Sequence, residues 1–246
     1  MQIIYGIRAL SEAITAGKTI EKVLIKKGTS GPLINDLIND LKSNKVHFLH
    51  VHADRFVRYQ NKNHQGVVAY IAAVVYQDIF SIVQEVFEQG EFPLILACDG
   101  ITDVRNFGAI ARSASCFGVH ALLITDKNTA EINSDAIKTS AGALNSMPVC
   151  KVSNLAKTIR TLQASGLSVV SASEKGNTLV YENNITGPTV LVMGSESEGI
   201  SPDILKLSDV IAKIPIAGNI ASLNVSVSAG ILLYEINRQR NLATPL

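Results

Sequence analysis

At 246 residues the chain can hold one large domain or two of ordinary size, and 47% hydrophobic against 17% charged residues is a globular balance that argues against disorder. No apolar run reaches the roughly 18 residues of a membrane span, so no transmembrane helix and no membrane partner are expected. The net charge of +1 hides an asymmetry: residues 1–76 carry ten Lys/Arg against five acids, a net of +5, which leaves −4 for residues 77–246.

A basic front segment, which also holds four of the five histidines, fits a polyanion partner. An ordinary solvated surface explains the same excess about equally well. The start, Met1-Gln-Ile-Ile-Tyr-Gly-Ile-Arg8, lacks the basic and apolar regions of a signal peptide. Cys98, Cys116 and Cys150 lie far apart without C-x-x-C spacing. That pattern fits reduced thiols in a cytoplasmic protein and makes a metal site improbable.

In chain order, Gly6 to Ala16 reads as a helix with Ala9, Leu10, Ala13 and Ile14 on one face. Val23 to Ile25 reads as a short strand, Leu33 to Leu41 as a helix, and Val46 to Leu49 as a strand. Asp54 to Tyr59 reads as a short helix, and Val67 to Val75 as a long β-branched strand. Together they predict a compact α/β unit. Gln77 to Gly90 reads as an amphipathic helix, followed by a break at Gly90-Glu-Phe-Pro93, where the domain boundary is placed.

Beyond it, strands are predicted at Leu94–Cys98, Ala121–Ile124, Ser168–Ala172, Val190–Met193 and Val210–Ile214. Helices are predicted at Asn106–Phe117, around Ser134–Ser140, at Leu155–Ala164 and at Ser222–Arg240, with a helical turn at Ser201–Leu207. Short apolar strands alternating with helices predict a parallel sheet covered on both faces.

Three segments concentrate polar and small residues at strand ends or helix starts: Asn106-Phe-Gly-Ala-Ile-Ala-Arg112, Val192-Met-Gly-Ser-Glu196-Ser-Glu-Gly199 and Ser222-Leu-Asn224-Val-Ser226. Gly194 to Gly199 lacks the middle glycine of a dinucleotide fingerprint, and its two carboxylates would repel a pyrophosphate. A cationic sulfonium such as S-adenosylmethionine fits the loop better, and a plain strand-to-helix turn is the bland alternative. Asn106 and Arg112 are six residues apart, which at about 3.6 per turn does not bring them together. Ser222 and Asn224 could be helix caps. Ser140 to Asn145 taken alone is a helix end, and Asn63-His-Gln-Gly66 is either a turn before a strand or a polar contact to RNA.

In this order and at these intervals the segments resemble the three motifs of the SpoU (TrmH-like) RNA 2′-O-methyltransferases of the SPOUT superfamily, and the resemblance covers nearly the whole chain. Asn63 to Gly66 and Tyr5-Gly-Ile-Arg8-Ala-Leu-Ser-Glu12 resemble the N-terminal domain of a subgroup acting on guanosine in bacterial 23S ribosomal RNA. The resemblance implies an N-terminal α/β RNA-binding domain at 1–76 resembling ribosomal-protein-like folds, a connecting helix at 77–92, and at 93–246 a SPOUT domain with a parallel sheet and a deep trefoil knot. It implies S-adenosylmethionine as cofactor, RNA as substrate and a homodimer.

Position by position, Asn106, Arg112, Glu196, Ser222 and Asn224 match the catalytic set. Gly194, Ile214 and Leu223, with Ser140 and Gly199, match the cofactor set, and Arg8, Asn63, His64 and Gln65 the RNA contacts. In the catalytic set Arg112 would stabilise the developing ribose alkoxide, oriented by Glu196 and Asn106 and lying near the partner's cofactor. Ser197 stands where the motif often has glycine. The alternatives are a transfer-RNA 2′-O-methyltransferase and a non-catalytic RNA-binding protein on the same fold.

Overall fold

The computed structural model describes residues 2–219 and 222–243. They divide into two compact units, Met1–Val75 and Tyr76–Leu246.

In the first unit the elements run β1 (Gln2–Tyr5), α1 (Ile7–Thr15), β2 (Ile20–Lys26), α2 (Pro32–Ser43), β3 (Phe48–Val51), a 3-10 helix (Ala53–Tyr59) and β4 (Val67–Ile71). The sheet order is β1-β4-β2-β3. β4 pairs antiparallel with β1 and β2, while β2 and β3 are parallel. The period-two pattern of β2 and β4 sends Val23, Ile25, Val67 and Ala69 to one face, where Leu10, Ile34, Leu37 and Leu41 of the two helices cover them. Leu24 and Val68 point the other way, onto Phe56 and Tyr59 of the 3-10 helix. The strand expected over 67–75 ends at Ile71, and β1 was not foreseen.

The second unit holds α3 (Ile79–Glu88), β5 (Leu94–Asp99), α4 (Val104–Cys116), β6 (Ala121–Thr125), α5 (Ser134–Thr139), β7 (Val149–Val152), α6 (Leu155–Ala164) and β8 (Ser168–Ala172). It continues with β9 (Thr178–Leu179), β10 (Thr189–Gly194), α7 (Pro202–Leu205), β11 (Val210–Lys213) and α8 (Val225–Ala243). Helix starts follow the side-chain chemistry of their caps: Asp78, Asp103 and Asn154 each accept a hydrogen bond from the backbone N–H three residues on, at 2.7 to 2.9 Å.

The seven strands are ordered β7-β6-β5-β10-β8-β11-β9 and every pairing is parallel. Residues of α3, α6 and α7 pack on one face of this sheet. Helix α4 packs against α5 and α8, and α8 reaches β10. Phe107 of α4 and Leu96 of β5 are fully buried, each stabilising the fold by about 1.5–3 kcal/mol. At the far end of α8, Arg240 donates to the carbonyls of Phe92, Pro93 and Gly187 at 2.9, 3.2 and 2.7 Å. This ties the helix to the segments that enter β5 and β10. Among the described residues no helix is long and apolar enough to cross a membrane.

Candidate active site

In a parallel sheet the carboxyl ends of strands leave room for a ligand where neighbouring connections diverge. Here β5 leads to β6 on one side, while β10 and β8 lie on the other. Beside that point, at the ends of β10, β8 and β11, a cleft of about 470 Å³ opens, within the usual range for small-molecule sites. Its wall includes Met193 and Gly194 from the end of β10, Ala172 from β8, Ala212 and Ile214 from β11 and its exit, and Ser222, Leu223 and Asn224 ahead of α8. A neighbouring hollow, lined by Gly100 to Asp103, Asn106 and Asn128, shares Ser195 to Glu198 with it. The segment 195–199 is thus a partition with a cavity on each side.

The partition is held by its own backbone. Ser195 and Gly199 exchange N–H to carbonyl hydrogen bonds of 3.1 and 3.0 Å, and the Glu198 N–H donates to Ser195 Oγ at 3.1 Å. Gly194 must lack a side chain, because a Cβ there would sit 2.2 Å from the Gly199 carbonyl carbon and 2.4 Å from the Ile200 nitrogen. Gly199 occupies positive φ at 72°. Ser197 is not among the positive-φ residues, so serine in place of glycine costs no backbone strain.

Glu196 gathers the three motifs into one network. Its Oε1 accepts from Asn106 Nδ2 at 3.0 Å and from Asn224 Nδ2 at 2.8 Å, and Asn224 Nδ2 also lies 3.1 Å from Asn106 Oδ1. Asn224 Oδ1 accepts from the Ser226 N–H and hydroxyl at 2.9 and 2.6 Å. Asn224 is therefore the residue that caps α8. The helix begins at Val225 rather than at Ser222 as expected, and Ser222 lines the cleft ahead of it. Residues 220 and 221 of the third motif lie outside the described residues.

Other expectations need correction. Arg112 is exposed nearly two turns along α4 from Asn106. Among the described residues it makes no hydrogen bond or ion pair with Glu196 or Asn106, since six residues of helix at about 3.6 per turn put it on a different face of α4 from Asn106. Ser140 lines neither cavity: it is buried at the end of α5, its hydroxyl donating to the Ile137 carbonyl and accepting from the Leu144 N–H at 2.8 and 3.4 Å.

In the first unit Gln65 is not a free loop side chain, since its Oε1 accepts from the Ile7 N–H at 3.2 Å and holds the start of α1. His64 Nδ1 accepts from the Gly66 N–H at 2.9 Å, and its ring packs on Phe56. Asn63 and Arg8 are exposed. Sequence reasoning missed the loop Ser173 to Lys175, which also lines the cleft. It belongs to no motif, and its only signal is its place directly after a parallel strand.

The lining suits an amphiphilic, cationic ligand. Met193, Ile214, Leu223 and Leu232 offer apolar surface, and the carboxylates of Glu174, Glu196 and Glu198 offer negative charge. Among the described residues no group of three or more His, Cys, Asp or Glu is placed to hold a metal.

Residues 93–234 match the family model described as the SpoU rRNA Methylase family, and residues 3–77 match that for RNA 2′-O ribose methyltransferase substrate binding. The 23S rRNA (guanosine-2′-O-)-methyltransferase RlmB of Yersinia pestis is 35% identical over 245 residues, 98% of each chain. A TrmH-family protein of Staphylococcus saprophyticus, described as a tRNA/rRNA methyltransferase, is 34% identical over 239 residues, 97% of this chain and 96% of its own. Among solved structures, the SpoU methyltransferase AviRb from Streptomyces viridochromogenes in complex with AdoMet aligns with a TM-score of 0.61 at 26% identity. That alignment covers 98% of this chain and 90% of that one.

Proposed function

Because the chain belongs to the SpoU rRNA methylase family, we propose that it transfers a methyl group from S-adenosylmethionine to a ribose 2′-hydroxyl of RNA, the acceptor being a guanosine of 23S ribosomal RNA. The observation that carries the reading is the Asn106–Glu196–Asn224 network on the partition between two cavities. Likeness to RlmB over 98% of both chains supports the choice of RNA. The cleft beside Gly194, Ile214 and Leu223 is the cofactor site, and its acidic lining favours a sulfonium. Bound there, the cofactor supplies an electrophilic methyl group. The hollow beside Asn106 takes the ribose, and the methyl and the acceptor oxygen meet where the two cavities adjoin at the edge of the partition, in the in-line placement on which such a transfer depends.

As the O–methyl bond forms and the S–methyl bond breaks, the 2′-hydroxyl proton leaves to solvent and Arg112 stabilises the developing alkoxide; a guanidinium holds its proton too strongly to act as base. It does so across a homodimer, which accounts for its lack of partners among the described residues of one chain. Val227, Ile231 and Tyr234 form an exposed apolar stripe at helical spacing on α8, the helix that packs against Arg112's own, and this stripe is the contact between copies. The trefoil knot belongs to the same reading: β10 lies between β5 and β8, and β11 between β8 and β9, so two late strands enter between strands laid down earlier. The first unit carries the RNA through Arg8, Asn63 and its other basic residues, and the protein works in the cytoplasm, where its three cysteines stay free.

A transfer-RNA substrate is the second reading, favoured by the tRNA/rRNA description of the Staphylococcus relative. Incubation with labelled S-adenosylmethionine and unmodified ribosomal or transfer RNA, followed by mapping of 2′-O-methyl groups, separates the two. Arg112→Ala should abolish transfer while the cofactor still binds; near-normal transfer by that variant would refute its role.

A further inference from the structure

The cofactor cleft is acidic with one exception. Its charged lining consists of Glu174, Glu196, Glu198 and Lys175, so Lys175 is the only cation on the wall among the described residues. It stands in the loop after β8, and that loop is held by its own hydrogen bonds. The Lys175 N–H donates to Ser173 Oγ at 3.2 Å and the Gly176 N–H to the Ser173 carbonyl at 3.0 Å. Gly176 lies so close to β11 that a Cβ there would be 2.5 Å from the Ile211 carbonyl oxygen.

Despite three carboxylates on the same wall, the Lys175 ammonium makes no ion pair or hydrogen bond with any described residue. Lys175 is exposed at the cleft, where an anion brought by a ligand can displace its water as a charge-assisted partner. The cofactor assigned above has a cationic sulfonium and ammonium and a single anionic group, its α-carboxylate.

Resting on that assignment, we propose that Lys175 pairs with the α-carboxylate of S-adenosylmethionine and fixes the amino-acid end of the cofactor. S-adenosylhomocysteine keeps the carboxylate and loses the sulfonium charge, so Lys175 serves donor and product alike. Discrimination between them is left to the carboxylates.

The test is calorimetric binding to the full chain without RNA, using S-adenosylhomocysteine and 5′-methylthioadenosine, which lacks the amino-acid tail. Lys175→Met should raise the Kd for S-adenosylhomocysteine about tenfold, equivalent to about 1.4 kcal/mol, and leave that for methylthioadenosine unchanged. Lys175→Arg should recover most of the loss, and added salt should narrow the gap. Equal losses for both ligands would make Lys175 a structural member of its loop and overturn the pairing. An unchanged Kd for S-adenosylhomocysteine would overturn it too, and would leave RNA phosphate as the anion for Lys175. If the parent protein bound neither ligand, the cofactor reading itself would fall, and the pairing with it.

Discussion

Substituting Gly194 by alanine should open the partition between the two cavities. The added Cβ would meet three backbone atoms: the Gly199 carbon at 2.2 Å, the Ile200 nitrogen at 2.4 Å and the Gly199 oxygen at 2.5 Å. Ordinary carbon contacts begin near 3.5 Å, so the segments must part by about 1.3 Å. No flexible side chain is there to absorb the strain. Parting breaks the two reciprocal hydrogen bonds between Ser195 and Gly199, at about 0.5–1.5 kcal/mol each. A total near 2 kcal/mol corresponds to a fall in Tm of about 4–8 °C for a chain of this size.

The same movement carries Glu196 out of reach of Asn224, now 2.8 Å away. Binding of S-adenosylhomocysteine should therefore weaken at least about tenfold, or 1.4 kcal/mol. Gly199→Ala is the control: nothing lies within 4 Å of its Cβ, but φ is +72°, so it should cost only about 1 kcal/mol. Differential scanning calorimetry and isothermal titration on both variants make the comparison. A Gly194→Ala protein melting within about 1 °C of the parent, with unchanged affinity, would refute the account of the partition.

Two further outcomes are expected. Glu235 accepts a two-pronged contact from Arg238 at 2.8 and 2.7 Å, and that contact holds its carboxyl below the usual value of 4.5. Its stabilisation is thus present above pH 4.5 and lost as pH falls through the lowered folded value. Glu235→Gln should cost about 1 kcal/mol at pH 7, with the difference from the parent closing in acid denaturation curves; a gap independent of pH would contradict this. Burial pushes the thiols of Cys98 and Cys150 up to about 12, so in the native protein at pH 8 a disulfide reagent should modify exposed Cys116 before either of them. Labelling of Cys98 or Cys150 ahead of unfolding would count against the packed sheet.

Much of this was legible in the residues. Apolar spacing placed α3, α4 and α6 to within two residues, because that signal is local. β1, β7 and β9 were missed because they have four, four and two residues and exist through pairing with distant strands; Gln2, for example, pairs with Ile71. The start of α8 was misplaced because Ser222 and Asn224 are both good caps, and only the contact of Asn224 with Ser226 chooses between them. The residues that meet at Glu196 could be named through their motifs, but their connections could not. Glu196 binds the two asparagines rather than Arg112, which depends on approaches across 90 and 28 residues of chain. Ser140 failed for a similar reason, since nothing near it in sequence shows that its hydroxyl is consumed by its own helix end.

The span of that network also sets a schedule. Asn106 meets Asn224 across 118 residues, and a ribosome delivers the chain from its N-terminus at about 5–20 residues per second. For several seconds a nascent chain carries Asn106 with nothing to complete it. The partition follows and waits for its last partner, and neither cavity has its full wall until the segment before α8 has emerged. The candidate site therefore closes only after its third motif has been made, 118 residues behind its first.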